Sequence, residues 1–343
     1  MGDTKIEYVS KSWSPIRGCS KVSAGCKNCW AVRMANRQKS MPGYEGFVDE
    51  HGWTGKVELI ESQIDAPLHW RKPQRVATAF MGDLFHPALS DEDRMRVIQV
   101  IEKCPQHTFL LLTKRAKEMC DFFSCEREYG DEWPRNIWLG VSVENQAAAD
   151  ERIPWLLRTP AAVRWISAEP LLGPLNLRKY LKGLCPQCHG FDDYCADVAL
   201  CETCGGLNGI GLNWVVLGGE SGPGARPMHP DWARSVRDQC VAASVPFWFK
   251  QWGEFCPLPR PFSYHRDGTE VKNNSGYRRA LSRYAKECGA TQIISPGQLA
   301  EGILSECVQY GETAIGRGGM LAAGNLLDGR TWAEFPDVKA EGR

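Results

Sequence analysis

Short runs of apolar, β-branched and aromatic residues recur along the chain at 76–81, 108–112, 137–143, 163–166, 214–217 and 246–249, with another near 8–13. Each ends in a small or polar residue. Continuous apolar runs of this length are the mark of strands buried on both faces, as in parallel sheets. Between them, 91–104, 147–157 and 231–243 carry apolar residues at helical spacing and open near acidic or polar capping residues. The alternation predicts six or seven βα units and an α/β fold built as a partial or complete parallel (β/α) barrel.

Two stretches break the rhythm. The connection 175–212 is too long for a simple βα loop and reads as an inserted module. Beyond about 254 the pattern weakens, with Pro257, Pro259 and Pro261 followed by polar sequence. The expected organisation is therefore a first barrel part over 1–176 with a cysteine loop, an insertion over 177–212, a last barrel part over 213–256 and a C-terminal extension over 257–343.

The residues after the predicted strands are polar: Gly82-Asp83, Thr113-Lys114-Arg115, Ser142-Val143-Glu144-Asn145, Glu169-Pro170, Gly218-Gly219-Glu220-Ser221 and Lys250-Gln251-Trp252. In a parallel barrel these positions surround the carboxyl-terminal mouth, where such folds place their sites. Asp83, Lys114, Glu144 and Glu169 are the candidates for substrate contact or proton handling, because a charge directed into a mouth needs a partner. Mutual salt bridges are the competing explanation.

Composition adds a compartment and a chemistry. Of 343 residues, 43% are hydrophobic and 24% charged, so a buried core is expected. Lys+Arg and Asp+Glu both number 41, and this neutral balance neither requires nor excludes nucleic acid. No run of 18 apolar residues and no apolar leader are found, so the expectation is a cytoplasmic protein with no membrane partner. Fifteen cysteines in a reducing compartment point to metal more than to disulfides.

Eight cysteines fall into two clusters, Cys195 lying between the knuckles of the second. Cys19, Cys26 and Cys29 sit within one loop and the start of a helix over 29–38, with Gly18 and Gly25 easing the backbone. Three close thiolates need a positive centre to share. An iron–sulfur cluster held by three cysteines keeps one iron open, whereas structural zinc would take a fourth ligand such as His86 or another cysteine; both remain open at this point. Cys185, Cys188, Cys201 and Cys204 form two CxxC knuckles separated by 12 residues, the spacing of a four-thiolate Zn2+ site in a zinc-ribbon-like module. Arg178, Lys179 and Lys182 beside that module suit a partner protein or nucleic acid, or simply a solvated face.

The stretch Trp13-Ser14-Pro15-Ile16-Arg17-Gly18-Cys19 through Cys29-Trp30-Ala31, with Gly82-Asp83, Leu112-Thr113-Lys114-Arg115, Gly140 to Asn145, Glu169-Pro170-Leu171 and Gly218 to Gly222, resembles a bacteriophage-associated three-cysteine-motif family. That family resembles in turn the radical S-adenosylmethionine (SAM) enzymes, although six residues separate Cys19 from Cys26 where the commonest radical SAM motif has three. The resemblance implies a radical SAM-like partial barrel, a four-iron (4Fe-4S) cluster on Cys19, Cys26 and Cys29, SAM as cofactor and an electron donor as partner. It also makes Trp30, Gly218, Gly219, Glu220 and Ser221 candidates for contacting SAM. Two functions follow as expectations: a SAM-dependent radical enzyme acting on a nucleotide or nucleic acid, or a non-catalytic zinc protein that binds DNA or a protein partner.

Overall fold

The computed structural model describes residues 4, 6–125, 133–181, 210–257, 315–317 and 325–337. Seven strands form one all-parallel sheet in sequential order: β1 (Lys11–Trp13), β2 (Arg75–Thr78), β3 (Thr108–Thr113), β4 (Ile137–Ser142), β5 (Val163–Ala168), β6 (Trp214–Gly218) and β7 (Phe247–Gln251). Every run expected to be a strand forms one. Helices α1 (Trp30–Gln38), α2 (Asp91–Glu102), α3 (Ala116–Cys125), α4 (Gln146–Arg158) and α5 (Pro230–Ala242) lie in five of the crossovers. Helix α3 was not anticipated, although Ala116, Met119, Phe122 and Phe123 are buried at helical spacing.

Alternate side chains of each strand belong to two separate apolar layers. Phe109 and Leu111, Ile137 and Leu139, Val215 and Leu217, and Phe247 and Phe249 face the helices. Leu110, Trp138, Trp165, Trp214, Val216 and Trp248 face the other way and form their own cluster. Both faces are buried, which is why the strands read as continuous apolar runs.

That second cluster shows how strongly the sheet curls. Tyr8 precedes the edge strand β1, yet its ring lies 5.5 Å from that of Trp214 and 6.0 Å from that of Trp248, on β6 and β7. Only a sheet curled into a half-barrel brings its two ends so close. Phe335 from the C-terminal extension completes the plug, 4.9 Å from the Trp248 ring, with Arg75 of β2 stacked 3.8 Å from its other side. Edge-to-face aromatic pairs add about 0.5–1.5 kcal/mol each beyond their burial. These residues pack together on the concave side of the sheet, toward the amino-terminal ends of the strands.

The sheet does not close. In the strand order β1 and β7 are its two edges, so the architecture is a partial barrel and the complete-barrel alternative is not what forms. The open edge of β7 is covered by the C-terminal extension: Phe249 N–H donates to Trp332 O at 3.0 Å and Glu334 N–H to Phe247 O at 3.2 Å. Residues 325–337 are thus part of the packed body, more ordered than their sequence suggested. The insertion leaves after Leu181, which bridges Leu212 in parallel fashion. The zinc-knuckle cysteines Cys185, Cys188, Cys201 and Cys204 lie outside the described residues. Among the described residues no helix is long and apolar enough to cross a membrane.

Gly140 in β4 shows how tightly the concave layer is packed, since a Cβ there would stand 2.4 Å from the Trp165 indole, itself fully buried. Gly140→Ala is expected to lower unfolding free energy by about 1–3 kcal/mol through overpacking, read as a reduced urea midpoint at unchanged slope.

Candidate functional site

The cysteine loop follows β1 and lies across the carboxyl-terminal mouth. Its entry is fixed by Gly18, whose φ of +97° suits glycine and whose Cβ, if present, would fall 1.9 Å from Lys56 O. Gly18 also bridges Gly82 beyond β2, with its N–H donating to Met81 O at 3.2 Å. Cys26 closes a 3-10 turn over Ala24–Cys26, and Cys29 is the N-cap residue of α1.

Three buried carboxylates from the ends of alternate strands hold the loop. Beyond β2, Asp83 accepts from Thr113 Oγ1 at 2.7 Å and forms a buried ion pair with Arg115 at 2.7 Å. Arg115 then donates to Ser20 Oγ at 2.8 Å and Ser20 O at 3.1 Å, and reaches the Cys19 sulfur at 3.6 Å. His86 Nε2 lies 2.8 Å from the same Ser20 hydroxyl. The first thiol is therefore positioned by Asp83 acting through Arg115.

Beyond β4, Glu144 pairs with Arg152 at 3.0 Å and accepts from the Gly25 N–H at 3.4 Å, beside Cys26. Burial pushes its carboxyl up, but a hydrogen bond from Ser23 and the cations Arg152 and Lys114 outweigh this and hold it below the usual glutamate range. Lys114 brings its Cε to within 3.4 Å of where a Gly25 Cβ would stand. Beyond β6, Glu220 takes Arg226 in a two-pronged pair at 2.6 and 2.8 Å and accepts from Asn28 Nδ2 at 3.0 Å, next to Cys29. Arg226 also donates to Ala24 O at 3.0 Å. Burial again raises the Glu220 carboxyl, and the bonds from Arg226 and Asn28 lower it further than burial raises it.

Asp83, Glu144 and Glu220 are thus committed to the loop, each paired with an arginine rather than with one another. Glu169 is different. It accepts from Lys250 Nζ at 2.7 and 2.9 Å and from Gln251 Nε2 at 3.2 Å, touching no residue of the loop. A register shift opposite Leu217/Gly218 makes this possible, because the extra residue in β7 turns Lys250 and Gln251 to the same side. Gly218 leaves room for Glu169, whose carboxyl carbon would lie 3.2 Å from a Cβ there. Arg152, Arg226 and Asn28 were not among the residues singled out from sequence, and Arg115 was noted there only as a strand-end residue.

The remaining candidates fall into place around this frame. Gly219 is packed against Trp252 and Gly253, a Cβ there meeting Trp252 O at 1.8 Å. Ser221 offers its carbonyl to Arg33 at 3.1 Å. Trp30 opens α1 with 49% of its surface exposed, so it is not a core tryptophan.

Cys19, Cys26 and Cys29 are all half-buried and reduced. Burial and nearby Asp83 push the Cys19 thiol up to about 11, opposed by Arg115, and the charge of Cys26 is felt there as well. Among the described residues no three His, Cys, Asp or Glu side chains are gathered at metal-holding distances. Cys19 bonds locally to Ser20 O at 3.4 Å, and Cys26 lies 3.9 Å from Ser23 Oγ. In donor chemistry the loop suits a thiophilic centre, with three free thiols on one anchored segment, although the three are not drawn together to metal-holding distances. His86 is engaged with Ser20, so it does not stand ready as a fourth ligand.

Residues 3–336 match the model of DUF5131, a family described as proteins of unknown function. The chain belongs to that family. No curated protein and no solved structure matches it.

The clamp makes a stability prediction. Glu144→Ala would take from buried Arg152 its buried carboxylate, leaving the exposed Glu151 at 3.7 Å, and is expected to cost about 3–5 kcal/mol in urea unfolding. The Glu144 carboxyl is lowered on folding, so its contribution is full above its ordinary value of 4.5 and is lost as pH falls through the lower folded value. Wild type should therefore lose stability relative to Glu144→Gln as the pH is taken below 4.5.

Proposed function

We propose that this protein is an iron–sulfur, SAM-dependent radical enzyme acting on a nucleotide or nucleic acid, with a 4Fe-4S cluster held by Cys19, Cys26 and Cys29. The observation that carries the reading is the anchoring of one three-thiol loop, at three points, over the carboxyl-terminal end of a parallel half-barrel. A loop merely crossing a surface has no need of three buried carboxylates beneath it.

When bound, a SAM-ligated cluster supplies one-electron cleavage of the sulfonium and hydrogen abstraction from substrate. The chain's own residues supply placement. Asp83 through Arg115, Glu144 at Gly25 and Glu220 at Asn28 keep the thiols over the mouth, and preorganised anchoring of this kind is how a second shell fixes metal ligands. The aromatic plug of Tyr8, Trp165, Trp214 and Trp248 excludes water from the amino-terminal end.

Glu169 and Lys250 form the substrate-facing pair in this reading. Their side chains retain 19% and 21% exposure, unlike Asp83, Glu144 and Glu220, and they are free of the loop. Lys250 Nζ donates to Glu169 Oε1 at 2.7 Å, and Gln251 orients the carboxylate from the same side. Gly218, Gly219, Glu220 and Ser221 support SAM through the backbone they hold in place, and Trp30 stands at the rim.

Anaerobic reconstitution with iron and sulfide tests the assignment. About four irons with broad visible absorption are expected in wild type and none in the Cys19/Cys26/Cys29 triple alanine variant, with SAM converted to 5′-deoxyadenosine by wild type alone. Zinc in the loop and no iron would contradict the reading and favour the non-catalytic zinc protein.

A further inference from the structure

The chain is neutral overall, with 41 cations and 41 anions, but its charges are segregated. From 8 to 44 there are seven Lys and Arg residues and no Asp or Glu. This stretch contains the cysteine loop and the whole of α1. Among the described residues, Lys27, Arg33, Arg37 and Lys39 form no ion pair. A folded surface that collects cations without neutralising them stores a local positive potential that an anionic partner relieves.

The geometry of α1 gives this potential a shape. Ala31 and Ala35 are buried and define its inner face. Trp30, Met34 and Arg37 then share the opposite stripe by helical spacing, while the Arg33 guanidinium is turned onto the Ser221 carbonyl. Trp30 is the one exposed tryptophan among those described; the others are buried or half-buried. Val22, 47% exposed, adds a second apolar contact on the loop between Cys19 and Cys26.

We propose that this stripe, with Lys27 at its head, binds a single nucleic-acid strand and feeds it across the cysteine loop to the mouth. An exposed aromatic face set among unpaired cations is what single-strand readers use, the ring stacking on a base while the cations follow the phosphates. A duplex keeps its bases inward and gives Trp30 nothing to stack on. Because Cys29 caps the start of α1, a strand lying along the helix passes directly beside the third thiol. The identity of the reaction rests on the radical-enzyme reading, whereas the binding does not require iron.

Fluorescence anisotropy of the full-length, iron-reconstituted protein with labelled oligo(dT), oligo(U) and a matched duplex tests this, with iron counted in every sample. Either single strand is expected to bind more tightly than the duplex. Trp30→Ala should weaken binding about tenfold. Arg37→Glu and Lys27→Glu should each weaken it and reduce the salt slope by about 0.7 or more. Lys72→Glu, an exposed cation at the amino-terminal end, should change nothing. Absence of strand binding by iron-loaded wild type, duplex binding of equal strength, or strand binding indifferent to Trp30 and Arg37 would overturn the proposal while leaving the cluster assignment standing. Strand binding by a protein that takes up no iron would uphold this inference and overturn the other.

Discussion

The arrangement at the mouth depends on carboxylates that act as anchors. Asp83, Glu144 and Glu220 leave the ends of β2, β4 and β6, and each meets the cysteine loop beside a different thiol. All three are buried and each is paired with an arginine, a combination stable only when the remaining lone pairs are satisfied as well. The loop provides that satisfaction through Ser20, reached by way of Arg115, and directly through Ser23, Gly25 and Asn28. Loop and sheet therefore stabilise each other, and neither arrangement stands without its partner.

The intervening strands are left for other work. Lys114, Glu169 and Lys250 come from β3, β5 and β7 or their ends, and the Glu169–Lys250 pair makes its contacts within the mouth. The division follows from the pleat and curl of the sheet, which turn successive strand ends toward a common centre, and from the irregularity in β7 that turns Lys250 and Gln251 together. At the opposite end the same curl brings Tyr8 and Phe335 against the tryptophans.

The sheet was legible in the sequence because its strands are buried on both faces, so apolar runs such as 137–143 stand out without ambiguity. The mouth was legible because polar residues follow those runs. The role of each polar residue was not. Glu144 and Glu169 look alike as acidic residues after a strand, but Arg152, one helix later, takes the first and Lys250, two strands later, takes the second. Likewise nothing local to Trp332 or Phe335 marks them as the cover of an edge strand; that follows only from an open β7 edge and an aromatic plug with a vacancy. Arg226 escaped notice, and Arg115 was given no role, because an arginine in a polar segment ordinarily reads as surface.

The central claim is that Cys19, Cys26 and Cys29 act as one ligand set. Thiol alkylation read by mass spectrometry, before and after anaerobic iron–sulfide reconstitution, tests it directly. The account predicts that all three cysteines are modified in the metal-free protein and become protected together once iron is bound. Continued modification of any one of them in the iron-loaded protein would contradict it.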